Sequence, residues 1–113
     1  DDLKINLSES FINFDLNEVS LIGRMILEFK NLDNFYRSFQ VKKNDRKKIQ
    51  KIDLDFNYNL DNQKISLDNV KIDNKSNPEI QKFIDNFNSK QNMILNRVTF
   101  KNFVNNFFSV YAG

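Results

Sequence analysis

Four aspartates near the middle of the chain are the residues most able to perform acid–base chemistry or to bind a metal ion. Asp53 and Asp55 alternate with apolar residues, and Asp61 and Asp68 follow at turn-like positions. The central glycine and distal glutamate of an EF-hand loop are missing from this region. We therefore interpret these aspartates as a solvated strand face with turn residues, and we expect neither a metal site nor a cofactor.

The chain lacks the residue types on which most catalytic centres depend. It contains no cysteine and no histidine, which excludes thiolate nucleophiles, Ser-His-Asp triads and zinc sites of the Cys/His kind. Its two glycines, Gly23 and Gly113, cannot form a glycine-rich phosphate-binding loop. We therefore expect a binding or structural protein with no catalytic residues.

A basic segment extends from Arg37 to Lys51 and contains seven cations but one anion, Asp45. Such a segment could contact the phosphate of an anionic lipid headgroup or of a nucleic acid. The candidate contact residues are Arg37, Lys42, Lys43, Arg46, Lys47 and Lys48. Because lysine is abundant throughout the chain, a solvated loop over residues 42–48 is the favoured interpretation, and nucleic acid is not expected as a partner.

Aromatic residues near the C-terminus form the second candidate binding feature. Their spacing places them along one wide stripe of a helix. The candidate lipid or partner contacts are Phe100, Phe103, Phe107, Phe108 and Tyr111. A stripe of this width left in water would be an apolar patch that soluble monomers rarely tolerate. We expect the helix to pack across the sheet face that carries Leu54 and Phe56, and so to close one end of an apolar groove.

The composition is that of one folded domain. The chain has 113 residues, of which 40% are hydrophobic and 28% are charged, and no apolar run is long enough to span a bilayer. It contains 19 Asn, 13 Lys and 12 Phe, a bias that an AT-rich genome explains. Because the first residue is Asp1, we expect either a single domain or a fragment of a longer, elongated β-groove protein.

Alternating apolar and polar residues predict an antiparallel sheet over the first two thirds of the chain. The clearest element is a hairpin over residues 51–73. Its predicted buried face consists of Ile52, Leu54, Phe56, Tyr58, Ile65 and Leu67. The alternation slips by one residue after Asn69, which predicts a bulge or a corner. Residues 3–7, 12–16 and 19–29 also alternate, and Gly23 at an apolar position suggests a bulge or a bend.

Three short amphipathic helices are predicted at about 32–40, 78–88 and 99–111, where apolar residues recur with helical spacing. Asn31 or Asp33 could cap the first helix, Ser76 or Asn77 the second, and Thr99 the third. A polar loop is predicted over residues 88–92. The predicted fold class is therefore α+β, an antiparallel sheet with helices that follow it.

Residues 31–113 resemble the C-terminal end of AsmA-like bacterial envelope proteins, which include the YhdP and TamB relatives. The resemblance is carried by the segments NLDNFYRSFQVKK, KIDLDFNYNLDNQKISLDNVKID and LNRVTFKNFVNNFFSVYAG. The strand, polar turn and strand of the second segment resemble the repeating β units of that family. The helical last third and the basic segment depart from the family pattern.

The resemblance implies a non-catalytic role in phospholipid transport between the inner and outer membranes, or in outer-membrane assembly. It implies a periplasmic location, with an inner-membrane anchor in a region outside this chain. The implied partners are phospholipid or a membrane surface, and other envelope proteins. Two alternatives stay open: a nucleic-acid-binding module that uses residues 37–51, and a structural protein-interaction domain without a ligand.

Overall fold

The computed structural model describes residues 2–90 and 96–113, which form a four-stranded antiparallel sheet and three α-helices. The strands are β1 (Leu3–Phe14), β2 (Val19–Phe29), β3 (Lys51–Asn59) and β4 (Ile65–Ile72), in that spatial order. The helices are α1 (Leu32–Ser38), α2 (Pro78–Ser89) and α3 (Arg97–Ala112). The predicted α+β fold class is confirmed.

The β3–β4 hairpin has the predicted register and the predicted bulge. Phe56 pairs with Leu67 and Asp55 pairs with Asp68. The register then shifts by one residue, so that Asp53 pairs with Lys71. Asn69 occupies the bulge with a φ of 50°, a left-handed conformation that asparagine tolerates better than most residues. The predicted inward side chains are buried or half-buried: Ile52, Leu54, Phe56, Tyr58, Ile65 and Leu67.

The three helices bury their apolar stripes in one core with the sheet. Their fully buried members are Phe35, Tyr36, Ile80, Ile84, Val104, Phe107 and Phe108. Ring contacts connect the elements, since Phe35 lies 5.0 Å from Phe29 of β2, and Phe103 lies 4.9 Å from Phe87 of α2, between centroids. Val104, Phe107 and Phe108 of α3 share this core with Leu54 and Phe56, so α3 lies over the sheet face that carries them, as the sequence predicts.

Asparagine caps all three helices. The side-chain oxygens of Asn31, Asn77 and Asn96 accept backbone N–H bonds from the first turns of α1, α2 and α3. The predicted Thr99 cap is wrong, because α3 begins two residues before that threonine, at Arg97. Thr99 instead accepts a bond from the backbone N–H of Asn96 at 2.8 Å. The two residues form a reciprocal capping box, which satisfies two otherwise unpaired donors.

The helix ends differ slightly from prediction. Helix α1 ends at Ser38, and Gln40 follows with a φ of 55°, so the predicted helix over 32–40 is about two residues too long. Ser89 belongs to α2, whereas the sequence places it in a loop, and Asn88, where the predicted helix and loop overlap, also belongs to α2. Gln91 and Asn92 of that predicted loop lie outside the described residues.

Gly23 lies opposite a bulge in the neighbouring strand. The β1–β2 register shifts between Ser8 and Phe11, and Glu9 has a φ of 52°. A Cβ atom at Gly23 would lie 2.9 Å from the Cβ atom of Ser10 and 2.3 Å from its Oγ, distances that real side chains do not adopt. The glycine therefore accommodates the bulge, and this close approach explains the gap that it leaves in the apolar alternation.

The apolar side chains of β1 are the main exception to the predicted one buried face per strand. Ile5, Leu7, Ile12 and Phe14 are exposed, and we call these four residues the β1 apolar stripe. Ile5 pairs with Leu27 of β2, which packs against the core, so the stripe lies on the same sheet face as the core. Alternation shows which side chains share a face, but the core reaches only the start of β1, where Leu3 packs against it.

The two edges of the sheet differ. The side-chain amide of Asn88 in α2 accepts a bond from the N–H of Leu67 at 2.9 Å and donates one to its carbonyl at 2.6 Å. Farther along β4, Ile72 and Lys75 exchange backbone hydrogen bonds of 2.9 and 3.0 Å. The outer side of β4 is thus covered at both places, whereas β1 has no described strand on its outer side.

None of the described helices is long and apolar enough to cross a membrane.

Candidate apolar ligand site

An apolar cavity of about 250 Å³ lies between the sheet and the helices. All four strands contribute to its wall. The strand residues that line it are Leu3, Ile5, Met25, Leu27, Phe29, Ile52, Leu54, Ile65, Leu67 and Val70. The helices contribute Phe35, Ile84, Phe87, Phe100, Phe103, Val104, Phe107 and Phe108. Every lining residue is apolar, so the cavity offers dispersion contacts and no side-chain hydrogen bonds.

The exposed lining residues mark the mouth of the cavity. Ile5 of β1 is 55% exposed and Phe100 in the first turn of α3 is 42% exposed, whereas Leu54 and Phe108 on the opposite wall are buried. The cavity therefore opens between β1 and the start of α3. From Ile5 the β1 apolar stripe continues outward along the same sheet face, so the mouth leads onto an exposed apolar surface.

Polar contacts of Lys101 and Asn105 hold α3 beside this mouth. The Asn105 side chain donates a hydrogen bond to the carbonyl of Phe39 at 2.8 Å, and the Lys101 ammonium donates to the Gln40 side chain. The rings of Phe39 and Phe100 lie 5.5 Å apart in an edge-on arrangement. The residues after α1 thus position α3, and they belong to the basic segment, directly before its cations Lys42 and Lys43.

Four of the five predicted aromatic contacts line the cavity. Phe100, Phe103, Phe107 and Phe108 do so, whereas Tyr111 is half-buried and packs against the core without reaching the cavity. The sequence analysis did not single out the lining residues of the strands and of α2 as site residues. They have the same apolar alternation as ordinary core residues, so no signal in the sequence distinguishes them.

Residues 42–48 of the basic segment form a loop, as predicted, with one short 3₁₀ turn at Lys43–Asp45. The exposed predicted contact residues are Arg37, Lys42, Lys43, Lys47 and Lys48. Within residues 2–90 and 96–113 these cations form no ion pair. Arg46 differs from prediction, because it is half-buried and its Nε donates to the carbonyl of Val41 at 2.9 Å. Its guanidinium therefore helps to shape the loop.

Tyr36 fastens the same loop to the core. Its hydroxyl donates a 2.5 Å hydrogen bond to the carbonyl of Lys47, and its ring lies 5.0 Å from that of Phe108. Burial, with a smaller contribution from nearby Tyr111, raises the pKa of Tyr36 to about 12. The neutral phenol is thus favoured in the folded protein.

Alkaline pH is expected to destabilise the fold through Tyr36. The pKa is higher in the folded than in the unfolded state, so the contribution is complete below pH 10 and is lost as pH rises toward 12. The expected loss is about 1–2 kcal/mol in the free energy of unfolding, measured by urea denaturation at several pH values. Tyr36→Phe should flatten this dependence, and Tyr58→Phe is the matched control. An equal pH slope in the two variants would contradict the assignment.

The aspartates of the hairpin have structural partners. Asp55 accepts a 2.7 Å bond from the Asn69 side chain, and Asp61 accepts a 2.9 Å bond from the N–H of Val19. Asp53 is 5% exposed, which corrects the expected solvated face. In register it lies between Ile26 and Lys71, and its carboxylate is 3.7 Å from the Arg24 guanidinium.

The described residues therefore offer an apolar site with an open mouth beside a loop of exposed cations. No group of three or more residues suited to metal binding occurs in the described part of the chain. The apolar lining of the cavity favours hydrocarbon over polar ligands.

No known protein family, curated protein or solved structure matches the chain.

Proposed function

We propose that this chain binds the acyl chains of phospholipid in its apolar cavity and forms the closed end of a lipid-carrying groove. The observation that supports this function is the wholly apolar cavity, which opens onto the β1 apolar stripe. An apolar cavity of about 150 Å³ stays dry and accepts benzene. The present volume of about 250 Å³ has room for about ten carbons at the same density. The rest of a longer chain would lie along the stripe.

The expected affinity follows from the hydrocarbon that is buried. Ten methylene groups moved out of water contribute about 8 kcal/mol, at about 0.8 kcal/mol each. That free energy corresponds to a dissociation constant near 1 µM, and the entropy lost on association weakens it. Binding of a single chain is therefore expected in the micromolar range or weaker, which suits a protein that must also release its lipid.

The phospholipid headgroup would lie outside the mouth, near the basic segment. Gln40, which contacts Lys101 of α3, is followed within three residues by Lys42 and Lys43. Exposed ammonium groups without ion pairs attract phosphate from solution. The cations thus favour anionic lipids, while the cavity contributes the apolar part of the binding free energy.

The resemblance to AsmA-like proteins supports phospholipid as the ligand class. Under this proposal the chain contributes to phospholipid transport between the two membranes of the bacterial envelope, or to outer-membrane assembly. It would act in the periplasm, with a membrane anchor supplied by a region outside this chain. No residue acts catalytically in this role, since the ligand is carried and not converted.

The proposal is tested by filling the cavity from α3. Val104 lines the cavity and is buried, whereas Val98 on the same helix is 67% exposed and does not line it. Val104→Phe is expected to weaken binding of a fluorescent 18-carbon fatty acid by about tenfold or more, because its ring takes the space of several methylene groups. Val98→Phe makes the same change outside the cavity and should bind like the parent protein.

Thermal unfolding must accompany these titrations. The cavity has room for the added ring, so Val104→Phe should unfold at a temperature close to that of the parent. Equal fatty-acid affinity in Val104→Phe, Val98→Phe and the parent would contradict binding in the cavity.

Dioctanoyl phosphatidylglycerol, compared with its phosphatidylcholine counterpart at low and moderate salt, tests the contribution of the cations. The affinity for the anionic phosphatidylglycerol is expected to exceed that for phosphatidylcholine, and the difference is expected to shrink as salt is added.

A further inference from the structure

The open edge of β1 presents a regular row of backbone groups. The carbonyl of Asp2 accepts hydrogen bonds from Lys30 and Asn31, on the β2 side. Because backbone groups alternate in direction along an antiparallel strand, the even residues up to Ser8 bond toward β2. The N–H and C=O groups of Leu3, Ile5 and Leu7 therefore point away from the sheet, toward the unpaired edge.

This edge is complementary to a second copy of itself. If two β1 strands run antiparallel with Ile5 opposite Ile5, then Leu3 of each copy lies opposite Leu7 of the other. Each of these three pairs would exchange two hydrogen bonds, which gives six across the junction. The bulge after Ser8 lies outside the paired residues, so it does not disturb this register.

Side-chain chemistry agrees with the same register. Directly opposed residues share a sheet face, so Leu3, Ile5 and Leu7 of both copies would meet on the apolar face. On the other face Lys4 of each copy would lie opposite Asn6 of its partner. No like charges are opposed. A shift by one residue would place Lys4 opposite an apolar side chain.

We propose that two copies of this chain pair through β1, antiparallel and centred on Ile5, to form an eight-stranded sheet. The two-fold axis is then perpendicular to the sheet, which keeps both helical layers on one face. Because Ile5 lines both mouths, the two cavities would open onto one shared apolar trough. The pairing itself does not depend on lipid binding. The junction is short, so association is expected at protein concentrations of about 10–100 µM.

Single cysteine substitutions test both the pairing and its register, because the chain contains no cysteine of its own. Opposed residues of a hydrogen-bonded pair have Cα atoms about 5.5 Å apart, within disulfide range. Ile5→Cys should therefore form a disulfide-linked dimer under mild oxidation. The two copies of Leu3→Cys would be about 14 Å apart and should not cross-link readily. The double variant Leu3→Cys/Leu7→Cys should cross-link, because the cysteine at position 3 of each copy would lie opposite the cysteine at position 7 of the other.

Leu16→Cys controls for random collision, because Leu16 is exposed and lies outside β1. Ile5→Cys is expected to cross-link about tenfold or more faster than Leu16→Cys, because pairing raises the local thiol concentration. Sedimentation of the parent protein should show a concentration-dependent dimer. Equal rates for Ile5→Cys, Leu3→Cys and Leu16→Cys, or a parent protein that stays monomeric at about 100 µM, would overturn the proposal.

Discussion

Truncation after Asn96, which removes α3, is expected to abolish cooperative unfolding and to expose the apolar core. Val104, Phe107 and Phe108 are buried in the intact protein, and each such side chain contributes about 1.5–3 kcal/mol through burial. Their combined loss is comparable with the whole stability of an ordinary domain, about 5–15 kcal/mol. Without α3, the cavity wall formed by the strands would also face water.

Dye binding and circular dichroism measure this outcome directly. The truncated chain should bind a fluorescent dye specific for apolar surface, lose solubility and lose the near-ultraviolet signal of packed aromatic rings. Removal of Gly113 alone, which follows the last residue of α3, is the matched control and should leave all three properties unchanged. A truncated chain that stays soluble, cooperative and free of dye would show that α3 is a docking element, and would rule out its role in closing the groove.

Phe108→Ala is expected to cause the largest loss of stability of any single substitution at the site, about 3–5 kcal/mol. Phe108 is 2% exposed. Its ring centroid lies 5.0 Å from Tyr36, 5.2 Å from Phe107 and 6.2 Å from Phe35, so it joins α3 to α1. The substitution removes these contacts and enlarges a cavity that already exists, which prevents the neighbours from closing the space.

Phe14→Ala is the matched control for this substitution. It makes the same chemical change on the β1 apolar stripe, where the side chain is 76% exposed, and should alter stability by no more than about 0.5 kcal/mol. Urea denaturation of both variants gives the comparison. Similar losses in the two variants would contradict the arrangement of the core described above.

The β3–β4 hairpin was predictable because each of its features has a local cause. Strict alternation from Ile52 to Tyr58 leaves one arrangement that buries the apolar residues. The phase slip at Asn69 requires one extra residue, which is the bulge that the structure contains. The start of α3 was mispredicted because Asn96 and Thr99 both have capping side chains, and their reciprocal bonds depend on where the helix starts.

The site itself was predictable only in part. The aromatic stripe of α3 identifies residues that must be covered, and four of its members line the cavity. The cavity, however, is the space that remains when the helices pack on the sheet. Its size depends on the relative positions of several elements, so it cannot be predicted from the type of any single residue. In the same way, alternation in β1 assigns Ile5 and Leu7 to one face, but whether another element covers that face depends on the width of the helical layer.

The two hydrogen bonds between the Asn88 side chain and the backbone of Leu67 restrict the addition of strands at β4. A fibril of stacked strands requires two free edges on every molecule, so that each addition creates the template for the next. Here Asn88 occupies the backbone groups of Leu67, and Lys75 occupies those of Ile72. A strand that joins at β1 therefore meets a sheet whose opposite edge is already occupied at Leu67 and at Ile72. These contacts disfavour the addition of a further strand at β4, so edge-to-edge association through β1 is expected to end in a closed complex more readily than to continue into a fibril.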